Sequence, residues 1–305
     1  MLDLVIVGAG PAALSAAIYA ARDGFSVRIY ERAAIGGIIT TTDMVENYPG
    51  FPEGISGYEI SKKMREQAEK FGAKIQYGTV SGIEKTASAD FEMLVDNEKV
   101  LTKAVLLATG NDYRKLGLEN EDEFTGRGIH FCATCDGPFY MGKEIIAVGG
   151  GDTAIEESLF LSKFSKVKLL VRSQLRAQQI LQDRLSKAVE EGKIEVFLNT
   201  QIKEFLVEDN KIAGVLAVRD GEDFEIRDTP AIFEFIGLIP NTGFLKPTGI
   251  ELSTNGEIKV DNFMTNIEGI FAAGDVVENS EKQLVIAAGS GANAALEIRR
   301  YLNSK

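Results

Sequence analysis

One pattern that occurs twice restricts the fold of this 305-residue sequence more than any other feature. In the first copy, an apolar run at residues 2–7 (LDLVIV) precedes a glycine turn, a helical stretch follows, and a second run ends at Glu31. In the second copy, EIIAV at 144–148 precedes a glycine turn, and VKLLV follows the helical stretch. A strand–helix–strand connection of this kind requires a parallel sheet with a right-handed crossover. We therefore predict an α/β fold of two Rossmann-like, doubly wound, three-layer domains that bind dinucleotides.

The first turn reads G-x-G-x-x-A and has the residue types that a dinucleotide site needs. Gly8 permits the tight turn, and Gly10 lets a pyrophosphate approach the backbone. Pro11 and Ala12 begin the helix, whose N-terminus faces the negative charge. Glu31 lies about 20 residues further on, where a carboxylate accepts hydrogen bonds from a ribose diol.

The second turn also reads G-x-G-x-x-A, with Gly149, Gly151, Asp152 and Thr153 in it. No carboxylate ends its second strand; Arg172 and Arg176 follow instead. Cations at this position are expected where the ligand carries a 2′-phosphate, although two arginines on a surface loop are often only solvated charges. Two turns imply two dinucleotides, of which we expect one to be a flavin.

Two further apolar runs, AVLLATG at 104–110 and GIFAAGD at 269–275, end in glycine or one residue after it. Each resembles the exit of a central strand at a cofactor crevice. Residues 286–301 have the pattern of a closing amphipathic helix.

The two cysteines and the only histidine all lie within HFCATCDGPFY at 130–140. Cys132 and Cys135 could form half of a zinc site, a structural disulfide or a redox dithiol. A structural zinc site takes four ligands, and a disulfide across four residues constrains the unfolded chain little. A redox dithiol suits this spacing better, and Asp136 could pass a proton to a departing thiolate. His130 could favour a thiolate on the side of Cys132, but we expect an ordinary residue near the surface.

Charge and composition exclude several classes of function. The net charge of −12 argues against binding nucleic acid or an anionic membrane surface. The apolar stretch at 4–21 has no basic residue before it and is interrupted by glycine and proline, so we expect neither a membrane span nor an export signal. Only two cysteines indicate a reducing cytoplasm.

Taken together, the motifs resemble those of the low-molecular-weight thioredoxin reductases of bacteria and archaea. GAGPAA, GGIITTTDMVENYPGF, ATG, CATCDG, GGGDTAIEE, GLIPNT and GIFAAGDV occur in the family's order, and CATCDG is the most specific of them. The resemblance implies a homodimer whose residues 1–111 and 244–305 bind FAD. An inserted domain at 112–243 would bind NADPH or NADH and carry the dithiol. Electrons would pass from nicotinamide through FAD and the dithiol to thioredoxin or a thioredoxin-like protein.

The resemblance also implies roles for single residues. Cys135 would take electrons from the flavin, Cys132 would attack the partner's disulfide, and Asp136 would donate a proton. One domain is expected to rotate against the other between the two half-reactions. The positions that match FAD-contacting motifs are Gly8, Gly10, Pro11, Ala12, Glu31, Arg32, Gly36, Gly37, Ile38, Asn47, Thr109, Gly110, Gly274, Asp275, Lys282, Gln283 and Leu284. The positions that match the nicotinamide nucleotide site are Gly149, Gly151, Asp152, Thr153, Arg172 and Arg176.

Two departures from the family's pattern leave alternatives open. Ile38 stands where the family often has glutamine, and the signature H-R-R-x-x-x-R is shortened to Arg172 and Arg176. NADH or another electron donor therefore remains an alternative to NADPH. A flavoprotein partner of a peroxidase usually adds an N-terminal dithiol domain, which we do not expect here because the first strand begins at Leu2. A ferredoxin or flavodoxin reductase would lack the cysteine pair, and a non-catalytic redox sensor is the remaining alternative.

Overall fold

The computed structural model describes residues 1–42, 44–87 and 90–305; Asp43, within the motif at 36–51, lies outside the described residues. The chain divides into two compact units. One consists of residues 1–41, 45–112 and 239–305, and the other of residues 42–44 and 113–238. The domain boundaries predicted from the sequence are 111/112 and 243/244, and the chain crosses between the units at 112/113 and 238/239.

The strands are β1 (Leu2–Val7), β2 (Val27–Glu31), β3 (Lys74–Tyr77), β4 (Val80–Lys85), β5 (Phe91–Val95), β6 (Glu98–Leu107), β7 (Asn111–Tyr113), β8 (Ile129–His130), β9 (Glu144–Val148), β10 (Lys166–Leu170), β11 (Ile194–Phe197), β12 (Thr200–Glu208), β13 (Lys211–Arg219), β14 (Glu222–Arg227), β15 (Ile232–Glu234), β16 (Leu238–Pro240) and β17 (Ile270–Ala272). The α-helices are α1 (Pro11–Arg22), α2 (Gly57–Lys70), α3 (Glu121–Phe124), α4 (Ala133–Asp136), α5 (Asp152–Leu161), α6 (Gln179–Glu190) and α7 (Leu284–Asn303). Short 3₁₀ helices span Gly37–Thr41, Gly137–Tyr140 and Gly243–Thr248.

The first unit is built on a seven-stranded sheet in the order β3-β2-β1-β6-β5-β4, with β17 also paired to β6. Strands β3, β2, β1, β6 and β17 pair in parallel, and β5 and β4 are added in antiparallel pairs. Alternate residues of β1 enter different cores, because successive side chains of a strand point to opposite faces. Leu4 and Ile6 pack with α1, α2 and α7. Val5 and Val7 pack with β4, β5 and residues 245–277. The third layer of this unit is thus made of strands and loops.

The second unit repeats this plan. Its parallel sheet has the order β11-β10-β9-β15-β8. Ile145 and Ala147 of β9 pack with α5 and α6, whereas Ile146 and Val148 pack against the antiparallel sheet β12-β13-β14. The predicted fold class of two Rossmann-like domains, the second inserted into the first, is confirmed.

Helix α1 follows directly from the sequence. Its N-cap is Gly10, proline occupies the first turn, and nine of its residues are buried because alanines face both the sheet and α7. Gly291 of α7 lies so close to α1 that a Cβ there would stand 1.9 Å from the carbonyl oxygen of Ala12. The close approach of α1 and α7 therefore depends on small residues at their contact. No helix in the described ranges is both long and apolar enough to cross a membrane.

Candidate functional site

The two cysteines form a disulfide at the start of α4, with their Cα atoms 5.3 Å apart. Cys132 is the N-cap residue of this short helix, and its sulfur accepts a hydrogen bond from the Cys135 N–H at 3.2 Å. Both cysteines are half-buried and Thr134 between them is exposed. The loop that carries the disulfide is therefore partly open to a partner molecule.

Asp136 ends α4 and is buried, with 7% of its surface exposed. Its Oδ2 lies 3.4 Å from Nδ1 of His130, which is 5% exposed. The expectation that His130 is an ordinary residue near the surface is therefore wrong. It ends the edge strand β8, whose pairing with Phe233 of β15 holds the ring inside the second unit.

The second glycine turn borders a cavity of about 650 Å³ in the second unit. Position 149 requires glycine, since φ is +146° and a Cβ would meet the Phe235 carbonyl oxygen at 2.5 Å. A Cβ on Gly151 would meet nothing within 4 Å, so that side of the turn is open. The predicted residues that line the cavity are Gly149, Gly151, Asp152, Thr153, Arg172 and Arg176.

The charges around this cavity suit an anionic ligand. Arg172 and Arg176 are both exposed, and neither forms an ion pair with any residue that the structure describes. Both carboxylate oxygens of Asp152 accept hydrogen bonds from Gln178, which lower the pKa of Asp152. Arg114 and Lys115 also line the cavity, and sequence reasoning missed them because they follow β7 at a distance of more than 30 residues from the glycine turn.

Two buried carboxyl groups lie next to this cavity: Glu234 ends β15, and Glu121 begins α3. Glu121 accepts hydrogen bonds from the backbone N–H groups of Leu116, Gly117 and Leu118, at 2.9, 2.6 and 3.1 Å. Burial, and then the neighbouring Glu121 carboxyl, raise the pKa of Glu234 to about 9. Glu234 therefore holds a proton at neutral pH. The sequence offered no sign of this pair, because 113 positions separate the two residues.

The first glycine turn forms a cradle of backbone in the first unit. Gly8 has φ +94°, and a Cβ there would stand 2.4 Å from the Ala108 carbonyl oxygen. Gly10 has φ −74°, and a Cβ there would meet nothing within 4 Å, so neither conformation nor packing requires glycine at this position. Gly36 donates its N–H to the carbonyl oxygen of Ala9 at 2.9 Å. A Cβ on Gly37 would lie 3.4 Å from Cα of Gly10, so residues 36–37 border the turn.

Polar groups near the ends of β6 and β17 lack partners. Among the residues that the structure describes, Thr109 Oγ1, Asn111 Oδ1 and Asp275 Oδ1 are buried without a hydrogen bond. Burial raises the pKa of Asp275 to about 6, although the charge of Lys282 acts in the opposite direction. Buried polar atoms are rarely left unpaired, so these groups fit a polar ligand such as a dinucleotide.

The other positions predicted to bind a dinucleotide are held in the first unit as follows. Pro11 and Ala12 begin α1, Leu284 begins α7, Gly110 follows β6, and Ile38 lies in a 3₁₀ helix. Gly274 donates its N–H to Ser290 Oγ at 2.9 Å, and Arg32 donates to Asp112 and Asn241. Asn47 donates to Gln283 at 3.0 Å although 236 positions separate them, and Lys282 donates to Glu257 at 3.0 Å.

Comparisons with known proteins place this chain among one group of enzymes. The family model described as pyridine nucleotide-disulphide oxidoreductase matches residues 2–292. The thioredoxin reductase of Bacillus subtilis is 40% identical over 306 residues, which cover 98% of this chain and 94% of that protein. The crystal structure of thioredoxin reductase from Streptococcus pyogenes superposes with a TM-score of 0.92 at 39% identity, covering 100% of this chain and 99% of the other. The thioredoxin reductase from Giardia duodenalis has a TM-score of 0.89 at 32% identity and 99% coverage of both chains.

The matched regions extend over nearly the whole chain and include both glycine turns and the cysteine pair. The resemblance found in the sequence is thereby confirmed. The chain belongs to the pyridine nucleotide-disulphide oxidoreductase family and, within it, to the low-molecular-weight thioredoxin reductases.

Proposed function

We propose that the protein is a flavin-dependent disulfide reductase that passes electrons from NADPH through FAD and the Cys132–Cys135 pair to thioredoxin or a thioredoxin-like protein. The observation that carries the proposal is the half-buried disulfide at the start of α4, with the Asp136 carboxyl in the same helical turn. A dithiol at this place can exchange with a second disulfide, and a neighbouring acid can protonate the sulfur that leaves.

The chemistry of the dithiol follows from these groups. The Cys132 thiolate attacks one sulfur of the partner's disulfide, and the other partner sulfur leaves and takes the proton of Asp136. The Cys135 thiolate then attacks Cys132, which breaks the mixed disulfide and releases the second partner sulfur. The partner gains two electrons and two protons, one proton from Asp136 and one from solvent, and the Cys132–Cys135 disulfide is restored.

The first unit is proposed to hold FAD. The open face at Gly10, the Glu31 carboxylate and the unpaired atoms of Thr109 and Asp275 support this assignment. When bound, FAD supplies the ability to accept two electrons from reduced nicotinamide and to pass them to a disulfide. The chain's own residues bind and orient it: Glu31 toward a ribose diol, and the turn at Gly8–Gly10 toward the pyrophosphate.

The second unit is proposed to hold the nicotinamide nucleotide in the cavity beside Gly151. NADPH is favoured over NADH because Arg172 and Arg176 offer two charges that have no described salt bridge, and Arg114 adds positive charge to the same cavity. The Lys115 ammonium is already paired with Asp122. A 2′-phosphate would form charge-assisted bonds with such groups.

Two further parts of this proposal concern assembly, which the resemblance supports, and location. We infer that the active form is a homodimer, which sedimentation of the FAD-loaded enzyme would test. A cytoplasmic location is inferred from the use of only two cysteines, which suit a reducing compartment.

The proposal is tested with the purified, FAD-loaded protein, oxidised thioredoxin and NADPH. We expect NADPH oxidation that depends on thioredoxin and that the double variant Cys132→Ser/Cys135→Ser abolishes. If NADPH reduces the flavin but no thioredoxin is reduced, the acceptor is a different protein, such as a peroxidase. If the flavin itself stays oxidised, NADPH is not the electron donor.

A further inference from the structure

His130 is a buried residue with two polar neighbours. It ends β8, its backbone pairs with Phe233 of β15, and its ring lies tilted by 30° against the Phe233 ring, with centroids 5.2 Å apart. The edge of the Tyr140 ring lies against it, with centroids 5.3 Å apart. The imidazole is therefore fixed in place by packing on two sides.

The two ring nitrogens face different groups. Nε2 lies 2.7 Å from the hydroxyl of Tyr140, which is half-buried. Nδ1 lies 3.4 Å from Asp136 Oδ2 and has no hydrogen-bond partner among the residues that the structure describes. A ring that carries its proton on Nδ1 suits both neighbours, because Nδ1–H then lies beside the carboxyl and Nε2 accepts the tyrosine O–H.

The contact with His130 matters for proton donation by Asp136. Its carboxyl is 7% exposed, and once it has protonated a sulfur it is a buried carboxylate. A buried charge without a partner is strongly unfavourable, which would oppose the proton transfer. The imidazole of His130 is the group in contact with Asp136 that can take up a positive charge.

We propose that His130 is a positioning residue for Asp136, which it orients through Nδ1–H and whose negative charge it balances. This inference rests on the proposed function. As the Asp136 carboxyl gives its proton to the departing sulfur, Nε2 takes a proton from the Tyr140 hydroxyl, which recovers one from solvent. The cluster then holds a carboxylate and an imidazolium and has the same net charge as before. The reverse movement restores the starting state when Asp136 is protonated again.

A half-buried carboxyl also lies close to the dithiol and serves as a comparison. Glu157 of α5 accepts a hydrogen bond from the backbone of Ala133, and burial raises its pKa. It faces α4 and has no contact with His130 among those described. If any acid close to α4 were sufficient, Glu157→Gln would alter the reaction as His130 variants do.

The first test is spectroscopic and does not depend on activity. His130 is the only histidine, so protein labelled with ¹⁵N-histidine, after removal of any tag, gives the signals of one imidazole. We expect the FAD-loaded enzyme to show the tautomer with the proton on Nδ1. Asp136→Ala should shift this toward the Nε2–H form, and Glu157→Gln should not. An Nε2–H form in the unmodified enzyme would overturn the proposal.

The second test separates the two half-reactions. His130→Phe keeps a ring of similar shape, and Tyr140→Phe removes only the hydroxyl; Tyr77→Phe, at an exposed position, is the matched control. In stopped-flow measurements, His130→Phe should slow the reduction of thioredoxin by the pre-reduced enzyme about tenfold or more, while flavin reduction by NADPH is unchanged. Tyr140→Phe should slow the same step by a smaller factor, and Tyr77→Phe should not.

Unchanged thioredoxin reduction in His130→Phe, with the unmodified enzyme active, would overturn the role of His130 alone. An unmodified enzyme that reduces its flavin but not thioredoxin would contradict the proposed function, and the tautomer would still report on the His130–Asp136 contact. If His130→Phe does not fold, His130→Asn provides the same measurement: its amide can donate to Asp136 but cannot become charged, so the slowing should persist.

Discussion

The backbone N–H of Ala9 donates a hydrogen bond of 2.7 Å to Oε2 of Glu31, which joins the end of β2 to the first glycine turn. The other carboxylate oxygen accepts from the Ala33 N–H at 2.8 Å. Glu31 is 8% exposed, so it organises the turn before any ligand binds.

Glu31→Gln is expected to weaken both the turn and the binding of FAD, because the amide nitrogen cannot accept one of the two backbone hydrogen bonds. Hydrogen bonds to charged groups contribute about 1.5–3 kcal/mol, so the loss should lower the unfolding free energy of the FAD-free protein by up to about that amount. Urea unfolding without FAD and titration with FAD measure the two effects. An unchanged unfolding free energy would mean that the Glu31–Ala9 contact contributes nothing to stability.

Alanine substitutions at Gly8 and Gly10 are expected to affect different properties, the stability of the fold and the affinity for FAD. Gly8→Ala meets the Ala108 carbonyl and a positive φ, so it should destabilise the FAD-free fold by about 2 kcal/mol or more. Gly10→Ala meets no protein atom within 4 Å, so the fold should be unaffected and FAD affinity should fall about tenfold or more. Thermal unfolding and flavin content are the measurements. A Gly10→Ala protein that binds FAD normally would place the pyrophosphate elsewhere.

Glu234 should make the protein less stable as the pH rises. Its pKa in the folded state is about 9 against an ordinary 4.5, so between these values the folded protein holds a proton that the unfolded chain has released. The contribution of Glu234 to the free energy of unfolding should therefore be greatest below pH 4.5. Between pH 4.5 and pH 9 it should fall by up to about 1.4 kcal/mol per pH unit. Glu234→Gln, which stays neutral, should flatten this dependence in urea unfolding at about pH 6, 7 and 8. Glu119→Gln is the exposed control and should leave the slope as it is.

The two arginines of the second unit should set the nicotinamide preference. We expect NADPH to reduce the flavin faster than NADH. Arg172→Ala should lower the ratio of the two reduction rates about tenfold, since one charge-assisted contact contributes about 1.5–3 kcal/mol. Reduction by NADH should change little in this variant. Stopped-flow flavin reduction with both nucleotides measures this, and faster reduction by NADH in the unmodified enzyme would refute the preference.

The two cysteines should not be interchangeable. If Cys135 takes electrons from the flavin, as the resemblance implies, Cys132→Ser leaves a thiolate able to give a long-wavelength absorption band with oxidised FAD. Cys135→Ser should lack that band, while its remaining Cys132 should still form a mixed disulfide with thioredoxin. Bands of equal strength in both variants would contradict the assignment.

Local patterns were enough to predict much of this molecule. The run LDLVIV followed by glycine, proline and alanines specifies β1, the turn and α1, whose observed bounds are Pro11–Arg22. These elements are set by neighbours in the chain, through strand propensity, the positive φ at Gly8 and proline in the first helical turn. The antiparallel sheet β12–β14 was not predicted, although Asp209-Asn210 and Asp220-Gly221 take the positive φ values typical of two-residue hairpin turns.

The order of amino acids was sufficient to predict the two nucleotide turns, the redox pair and the duplicated fold, because each depends on residues a few positions apart. Contacts between side chains that are far apart in the sequence are decided only by the tertiary structure. Asn47 meets Gln283, Glu121 meets Glu234, and His130 turns inward because β8 pairs with β15, which begins 102 positions later. Burial then sets the chemistry of these groups: a carboxyl or an imidazole has no access to water inside the core, so its charge is governed by the neighbour that the fold provides.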